Sequence, residues 1–280
     1  GDDCAVVKFH NKKKYVLTTD TSLLGPHFSK DYTPEEIGHK SLASNLSDIA
    51  SMGCKPLYAL YALTVPDISE SWIKRFFRGT RKLLNKYNVS IIGGDTTRGP
   101  MSISITLIGE QKNSILTRKG AKSGDGIYVT GIVGSARAAL LLDKRNSGYN
   151  YFRKSLVKPE PRVIEGIELS KFASSCIDIS DGLAKDLKSI AISSNKGFDV
   201  EVDSIPTSRQ LARYIKPHLR DQCVLGGGED YELCFTANDK YISNIRFRIT
   251  MEFINTCIIL FILIIKTFIG YLNFLFLIYK

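Results

Sequence analysis

A chain of 280 residues with 44% apolar and 24% charged side chains is long enough for one large core or two of ordinary size, which excludes a collagen-like, low-complexity or disordered polymer. The 38 basic and 28 acidic residues leave a formal charge of +10, a sign that suits an anionic partner. Lys outnumbers Arg 24 to 14, however, and the basic positions are scattered, so no nucleic acid is expected as a partner. The six cysteines never reach CxxC spacing and no His accompanies one in a zinc-like pattern, which points to free thiols in a reducing, cytoplasmic setting.

In chain order, β-branched runs at 4–7 and 15–19 read as strands. A helix opens at Thr33-Pro34-Glu35-Glu36, a capping box with Pro at the first helical position, and stops at Gly53. Leu42, Leu46 and Ile49 form its core face, while Ser41, Ser44, Asn45 and Asp48 make a small polar face that aims Asp48 at a polar site. A strand at 56–65 precedes a basic amphipathic helix, in which Lys74, Arg75, Arg78, Arg81, Lys82 and Lys86 read as solvated surface opposite Phe76, Phe77 and Leu83. Strands at 89–92 and 102–109 follow, the second alternating Ser102, Ser104 and Thr106 with Ile103, Ile105 and Leu107. After a polar link at 111–124 come a strand at 126–130, helices at 135–142 and 161–172, a strand at 176–179, a helix at 182–194, a strand at 198–202, a helix at 208–215 and a strand at 231–235. The expected class is α+β in two units, 1–112 and 113–240, followed by a hydrophobic tail at 241–280.

The tail stands apart. From Thr250 to Lys280 only Glu252, Lys266 and Lys280 are charged and 22 of 31 residues are apolar. Its Leu, Ile and Phe, at roughly −0.3 to −0.6 kcal/mol each, outweigh the ~3 kcal/mol cost of Lys266, so membrane insertion is physically possible. Its narrow vocabulary of Phe, Ile, Leu, Tyr, Asn and Lys also fits out-of-frame translation of an AT-rich gene. A membrane or interfacial helix, an aberrant end and a buried core element all stay open. At the other end the chain begins Gly-Asp-Asp without Met, and further residues are expected ahead of it.

Chemistry concentrates on acids. The dipeptide Gly-Lys does not occur and no GxGxxG follows a strand, which removes P-loop and dinucleotide folds. Instead, aspartates sit beside glycine or at the ends of apolar strands: Gly1-Asp2-Asp3, Thr18-Thr19-Asp20-Thr21, Gly93-Gly94-Asp95-Thr96-Thr97-Arg98, Asp178-Ile179-Ser180-Asp181-Gly182 and Gly226-Gly227-Gly228-Glu229-Asp230. Singly, each has a structural reading, Ser180 or Asp181 as a helix cap and the glycines as tight turns. Together with Asp48 they are carboxylates that need cations to stay ionised when they converge. Oxygen ligands without Cys or His select Mg²⁺, which keeps positions open for substrate phosphates. Metal-bridged phosphoryl transfer is the chemistry this set suits.

The stretches GDDCAVV, TTDTSLLGPHF, LASNLSDIASMG, IIGGDTTRGP with SISITLIG, LTRKGAKSGDGIYVTG, IDISDGLAKDL and LGGGEDYELCFT, in that order, resemble the thiamine-monophosphate kinase family of the aminoimidazole ribonucleotide synthetase-like superfamily. The resemblance runs from Gly1 to about Asn238. It implies an N-terminal domain whose sheet dimerises, an α/β C-terminal domain, and ATP with several Mg²⁺ ions in the cleft between them. It further implies phosphorylation of thiamine monophosphate to thiamine diphosphate by a homodimer. Carried over by position, Asp3, Thr18, Thr19, Asp20, Asp48, Asp95, Asp178 and Asp181 become Mg²⁺ ligands, of which Asp20, Asp48, Asp95 and Asp178 are also read as catalytic. Gly94, Asp95, Arg118, Ser180 and Phe77 become ATP contacts, Phe77 standing where the family often has Tyr. His27 and Glu229 become thiamine-side contacts.

Two departures accompany the match. The family pattern has further residues before GDD, and after the GGEDYELCFT strand it continues to an aromatic that packs on the substrate, where this chain has its apolar tail. The competing readings are another ATP-using enzyme of the superfamily, an inactive remnant of the kinase from a frameshifted or truncated gene, and a membrane-tethered protein resting on the tail.

Overall fold

The computed structural model describes residues 1–8, 13–67, 69–241, 259–260 and 278–279. Its first sheet contains β1 (Ala5–Lys8), β2 (Lys14–Leu23), β3 (Cys54–Val65), β4 (Ser90–Arg98) and β5 (Ser102–Gln111) in the order β1-β2-β5-β3-β4. All pairs are antiparallel except β3 with β4. The alternation expected in β5 sets the two faces. Ile103, Ile105 and Leu107 are fully buried in the first core, while Ser104 and Thr106 bond Thr21 and Thr19 across the other face at 2.7 and 2.8 Å. Gly93 and Gly94 lie inside β4, so the reading of these glycines as a tight turn does not hold.

Two helices cover the buried face. In α1 (Pro34–Ser51) the capping box forms as the sequence predicts, with the Thr33 hydroxyl accepting from Glu36 N and the Glu36 carboxylate accepting from Thr33 N, a cap worth about 1 kcal/mol. The basic helix is α2 (Glu70–Tyr87), with Phe76 and Leu83 inward. Its charged side is only partly free, because Arg75 grips Glu35 through two bonds of 2.9 Å. The helices cross closely at Gly38 and Gly79, where an added Cβ would stand 2.3 Å from Phe76 O and 2.0 Å from Glu35 O. No larger side chain fits there without separating them.

In the second unit β9 (Leu233–Asn238) lies between β6 (Asp125–Val129) and β7 (Ser175–Asp178), antiparallel to both. Strand alternation again divides the faces. Tyr128, Cys176, Leu233 and Phe235 join the first core, and Val129, Ile177 and Cys234 join a second core beneath the unit's own helices. Those helices are α3 (Ser135–Leu141), α4 (Tyr149–Val157), α5 (Val163–Leu169), α6 (Leu183–Ser194), α7 (Arg209–Tyr214) and α8 (Pro217–Val224), with β8 (Val200–Glu201) between α6 and α7. Helix α1 packs against α2, the first sheet, β7 and α5, so it runs between the two units and is buried on nearly every side. The polar link is tied to both units, Leu116 N donating to Met52 O and Cys176 N to Thr117 O.

Several local expectations shift. Helices α4 and α8 have no counterpart in the sequence reading. The helix expected at 161–172 contracts to α5 behind Pro159 and Pro161, and the strand expected at 198–202 to β8. The last strand begins at Leu233 instead of 231, since Glu229 and Tyr231 both take left-handed backbone angles that end a strand. The expected tail, 241–280, lies outside the described residues except for Tyr241 and two short strands, 259–260 and 278–279, paired with β6 and β8. Among the described residues no helix is long and apolar enough to cross a membrane.

Candidate active site

The polar side of α1 meets the middle of β2, the end of β7 and the residues that lead into β1. Asp48 accepts a 2.5 Å hydrogen bond from the Thr18 hydroxyl on β2, and Asn45, one turn earlier, accepts from Asp20 N at 3.2 Å. Thr18 and Asp20 share a face with buried Val16, as period-2 geometry requires. The other flank of the helix holds Ser47, which donates to Asp178 at the end of β7 (2.8 Å), and Ser51, which donates to Asp3 (2.6 Å). Arg118 completes this group: its guanidinium pairs with Asp3 and its amide donates to Asp2 at 2.8 Å. Four of the predicted acids, Asp3, Asp20, Asp48 and Asp178, thus surround one helix where the two units meet.

Burial and mutual repulsion set their electrostatics. Burial, then the nearby Asp20 charge, push the Asp48 carboxyl up to about 8, while the Thr18 hydrogen bond and Arg118 pull the other way. Burial and the charges of Asp3 and Asp48 hold Asp178 well above the ordinary carboxylate range, and burial raises Asp20. Arg118 Nε is buried without a partner, the kind of orphaned donor that a bound anion satisfies. Among the described residues no three His, Cys, Asp or Glu side chains form a group that could hold a metal ion as they stand; Asp48, Asp178 and Asp3 are each bonded to a hydroxyl, Asp3 also to a guanidinium. The donors themselves fit Mg²⁺: they are oxygens, they are acidic, and they raise one another's pKa in a way that a divalent ion would relieve.

The predicted thiamine-side residues form a second group toward the start of α1. Lys40 Nζ donates to the His27 carbonyl at 2.8 Å and lies 2.8 and 2.9 Å from the two Glu229 carboxylate oxygens. His27 Nδ1 accepts from Leu23 N, which closes a tight loop after β2. Glu229 and Tyr231 have φ of 71° and 52°, costing about 1–2 kcal/mol each in non-glycine residues. Surrounding bonds hold this turn. Glu229 N donates to Ser180 O and Tyr231 N to Ile179 O, while the Asp230 carboxylate accepts from Gly134 N and Ala136 N. Burial raises Asp230 to about 7.

Other predicted residues stand elsewhere. Thr19 points its hydroxyl at Thr106 on the opposite face of the sheet, so only its main chain remains for an ion beside Asp20. Gly94 and Asp95 lie on exposed β4, and a Cβ at Gly94 (φ 154°) would stand 1.9 Å from Tyr61 O, which makes glycine obligatory there. Phe77 packs 5.4 Å from the same Tyr61 ring, so the three positions share one corner of the first sheet. Asp181 faces solvent, paired with Lys185 at 2.6 Å. Neither Ser180 nor Asp181 caps α6; buried Asp186, inside the helix, accepts from Asp181 N and Gly182 N instead, and burial brings its carboxyl to about 7. Lys40, Ser47, Ser51 and Asp186 are the site residues that sequence reasoning missed. For Ser47 and Ser51 a signal existed, since they repeat at i, i+4 on a helix too polar to be an ordinary core element.

Two units meeting over an acid-lined helix define the class of the chain, and a model of the AIR synthase related protein N-terminal domain matches residues 1–111. The thiamine-monophosphate kinase of Buchnera aphidicola subsp. Schizaphis graminum is 41% identical over 267 residues, covering 92% of this chain and 82% of that protein, a span that reaches past the last motif. The crystal structure of thiamine-monophosphate kinase from Stenotrophomonas maltophilia superposes with a TM-score of 0.87 at 36% identity, over 96% of this chain and 88% of that one. AaThiL complexed with AMPPCP and TMP superposes with a TM-score of 0.79 at 31% identity, over 85% and 80%. The chain belongs to the thiamine-monophosphate kinase family.

Proposed function

We propose that this chain transfers the γ-phosphoryl group of ATP to thiamine monophosphate. A phosphate oxygen of the acceptor forms the new bond to Pγ, the bond from Pγ to the β-bridging oxygen breaks, and ADP and thiamine diphosphate leave. The observation that carries the reading is the set Asp3, Asp48 and Asp178, desolvated around α1 in a chain of net charge +10. Magnesium bound there would spread the charge on the transferring group. In this reading Asp3, Thr18, Thr19, Asp20, Asp48, Asp95, Asp178 and Asp181 hold the ions, Asp20, Asp48, Asp95 and Asp178 nearest the chemistry. Gly94, Asp95, Phe77, Arg118 and Ser180 take the nucleotide, and His27 and Glu229 take the thiamine end. No covalent intermediate is required, because positioning and electrostatics suffice for phosphoryl transfer. The division at 112/113 belongs to the same reading, with the five-stranded sheet in the first unit and β6, β9 and β7 in the second. A reducing cytoplasm suits the five described thiols, which are free and buried. With γ-labelled ATP, label should appear in thiamine diphosphate only when Mg²⁺ and thiamine monophosphate are both present; label in inorganic phosphate alone would overturn the proposal.

The same reading makes the chain a homodimer through β4. That strand is exposed along its whole length and shows Ile91 and Ile92 to solvent beside Tyr58 and Leu60 of β3, an edge that a monomer would be expected to blunt. Ile92→Glu should therefore halve the sedimentation mass, and an unchanged mass would place any dimer contact elsewhere.

A further inference from the structure

Lys40 is 5% exposed, a burial that lysine tolerates only when paired. Its ammonium has three N–H donors. They meet the His27 carbonyl and both oxygens of Glu229. The two groups so joined come from different units, His27 from the loop after β2 and Glu229 from the turn before β9. Tyr32 lies between two cations, its ring 5.6 Å from Lys40 Nζ and 5.6 Å from the Arg153 guanidinium. Arg153, on α4 of the second unit, in turn holds Glu36 on α1 through bonds of 2.5 and 2.8 Å. The segment from His27 to Glu36 is therefore fixed from both sides, and among the described residues Lys40 is the side chain bonded to both His27 and Glu229.

We propose that Lys40 is a positioning residue for the acceptor substrate, setting the spacing between His27 and Glu229 and holding the Glu229 carboxylate in one orientation. The proposal rests on the reading of those two residues as thiamine-side contacts. A carboxylate offers about four acceptor sites. Lys40 takes one on each Glu229 oxygen and leaves the others for a donor on the acceptor, such as the exocyclic amine of thiamine. Because the ammonium neutralises Glu229, its effect on binding is geometric more than coulombic. Lys40 and Asp48 stand eight residues apart on α1, which is about 12 Å of helix. One rigid element thus carries the acceptor-end clamp and the metal-end acid, and fixes the distance between them.

The test uses the full chain with Lys40→Met, which keeps the length of the stem and removes the donors. KM for thiamine monophosphate should rise roughly 10–100-fold, while KM for ATP stays within about threefold, a split that general destabilisation would not give. In the ligand-free chain, amide hydrogen exchange should speed up at both 24–29 and 226–231. Lys40→Arg, which keeps the charge and several donors, should recover part of the KM and covers the case in which Lys40→Met does not fold. Equal rises in both KM values, or an unchanged KM for the acceptor, overturn the proposal. If the unaltered chain makes no thiamine diphosphate, the kinase reading fails on its own; exchange then judges the clamp, and unchanged exchange at either segment overturns it as well.

Discussion

Asp48→Asn should lower phosphoryl transfer by roughly a hundred- to a thousandfold and leave the fold in place. The loss is of the size seen when one preorganised electrostatic contact to a developing charge is removed. Asn has nearly the volume of Asp and can still accept the Thr18 hydroxyl through its amide oxygen, so the 2.5 Å contact between β2 and α1 has a replacement. What disappears is one negative charge among Asp3, Asp20 and Asp178, and with it the anionic ligand that would hold a divalent ion on α1. Removing that charge also relieves a desolvated group, so without Mg²⁺ the variant should melt no lower than the parent at pH 8. Turnover and melting temperature measured side by side check both halves. A normal rate at ordinary Mg²⁺ would reduce Asp48 to a structural acceptor for Thr18.

Asp48 was legible in the sequence for a local reason. A helix with Leu42, Leu46 and Ile49 on one side and only small polar residues on another has to present that second side to something polar. The Thr33 cap and the β5 alternation were equally local, each set by residues no more than a few positions apart. Lys40 was not legible, because a lysine on a helix ordinarily reads as solvated surface and nothing near it in sequence announces Glu229, 189 residues away. The strand through Gly93 and Gly94 was hidden for a similar reason. Two glycines before an aspartate look like a turn, yet parallel pairing with Tyr61 and Ala62 on β3 makes them strand, and Gly94 is needed because the Tyr61 carbonyl fills the space a side chain would use. The positive φ at Glu229 and Tyr231 was hidden too, since neither residue type advertises it. Local chemistry marks which residues are polar and inward; only the packing of the second unit on α1 decides which of them touch.

The second large effect is a dependence of stability on pH whose slope Mg²⁺ should change. Burial raises several carboxyls in the folded chain, Asp48 to about 8, Asp186 and Asp230 to about 7, Asp178 well above the ordinary range and Asp20 in the same direction, whereas in the unfolded chain they titrate in the ordinary range near 4. Between about pH 4 and 8 the folded state therefore keeps protons that the unfolded state has released. Stability falls as pH rises through that window, by about 1.4 kcal/mol per pH unit for each retained proton. The opposite sign belongs to Asp31, which Lys144 and Ser29 lower to about 2, and to Glu36, lowered by Arg153; their contribution is present above the ordinary range and is lost only in acid. The metal-free chain should accordingly melt highest near pH 5 and markedly lower at pH 8. Magnesium bound to ionised carboxylates around α1 would stabilise the folded chain more as pH rises, and so should flatten or reverse the fall. In Asp48→Asn the metal-free slope should be shallower and the response to Mg²⁺ weaker. A melting temperature independent of pH from 5 to 8 without metal would show that burial does not raise these carboxyls, and a Mg²⁺ response equal in the parent and in Asp48→Asn would show that Asp48 holds no ion.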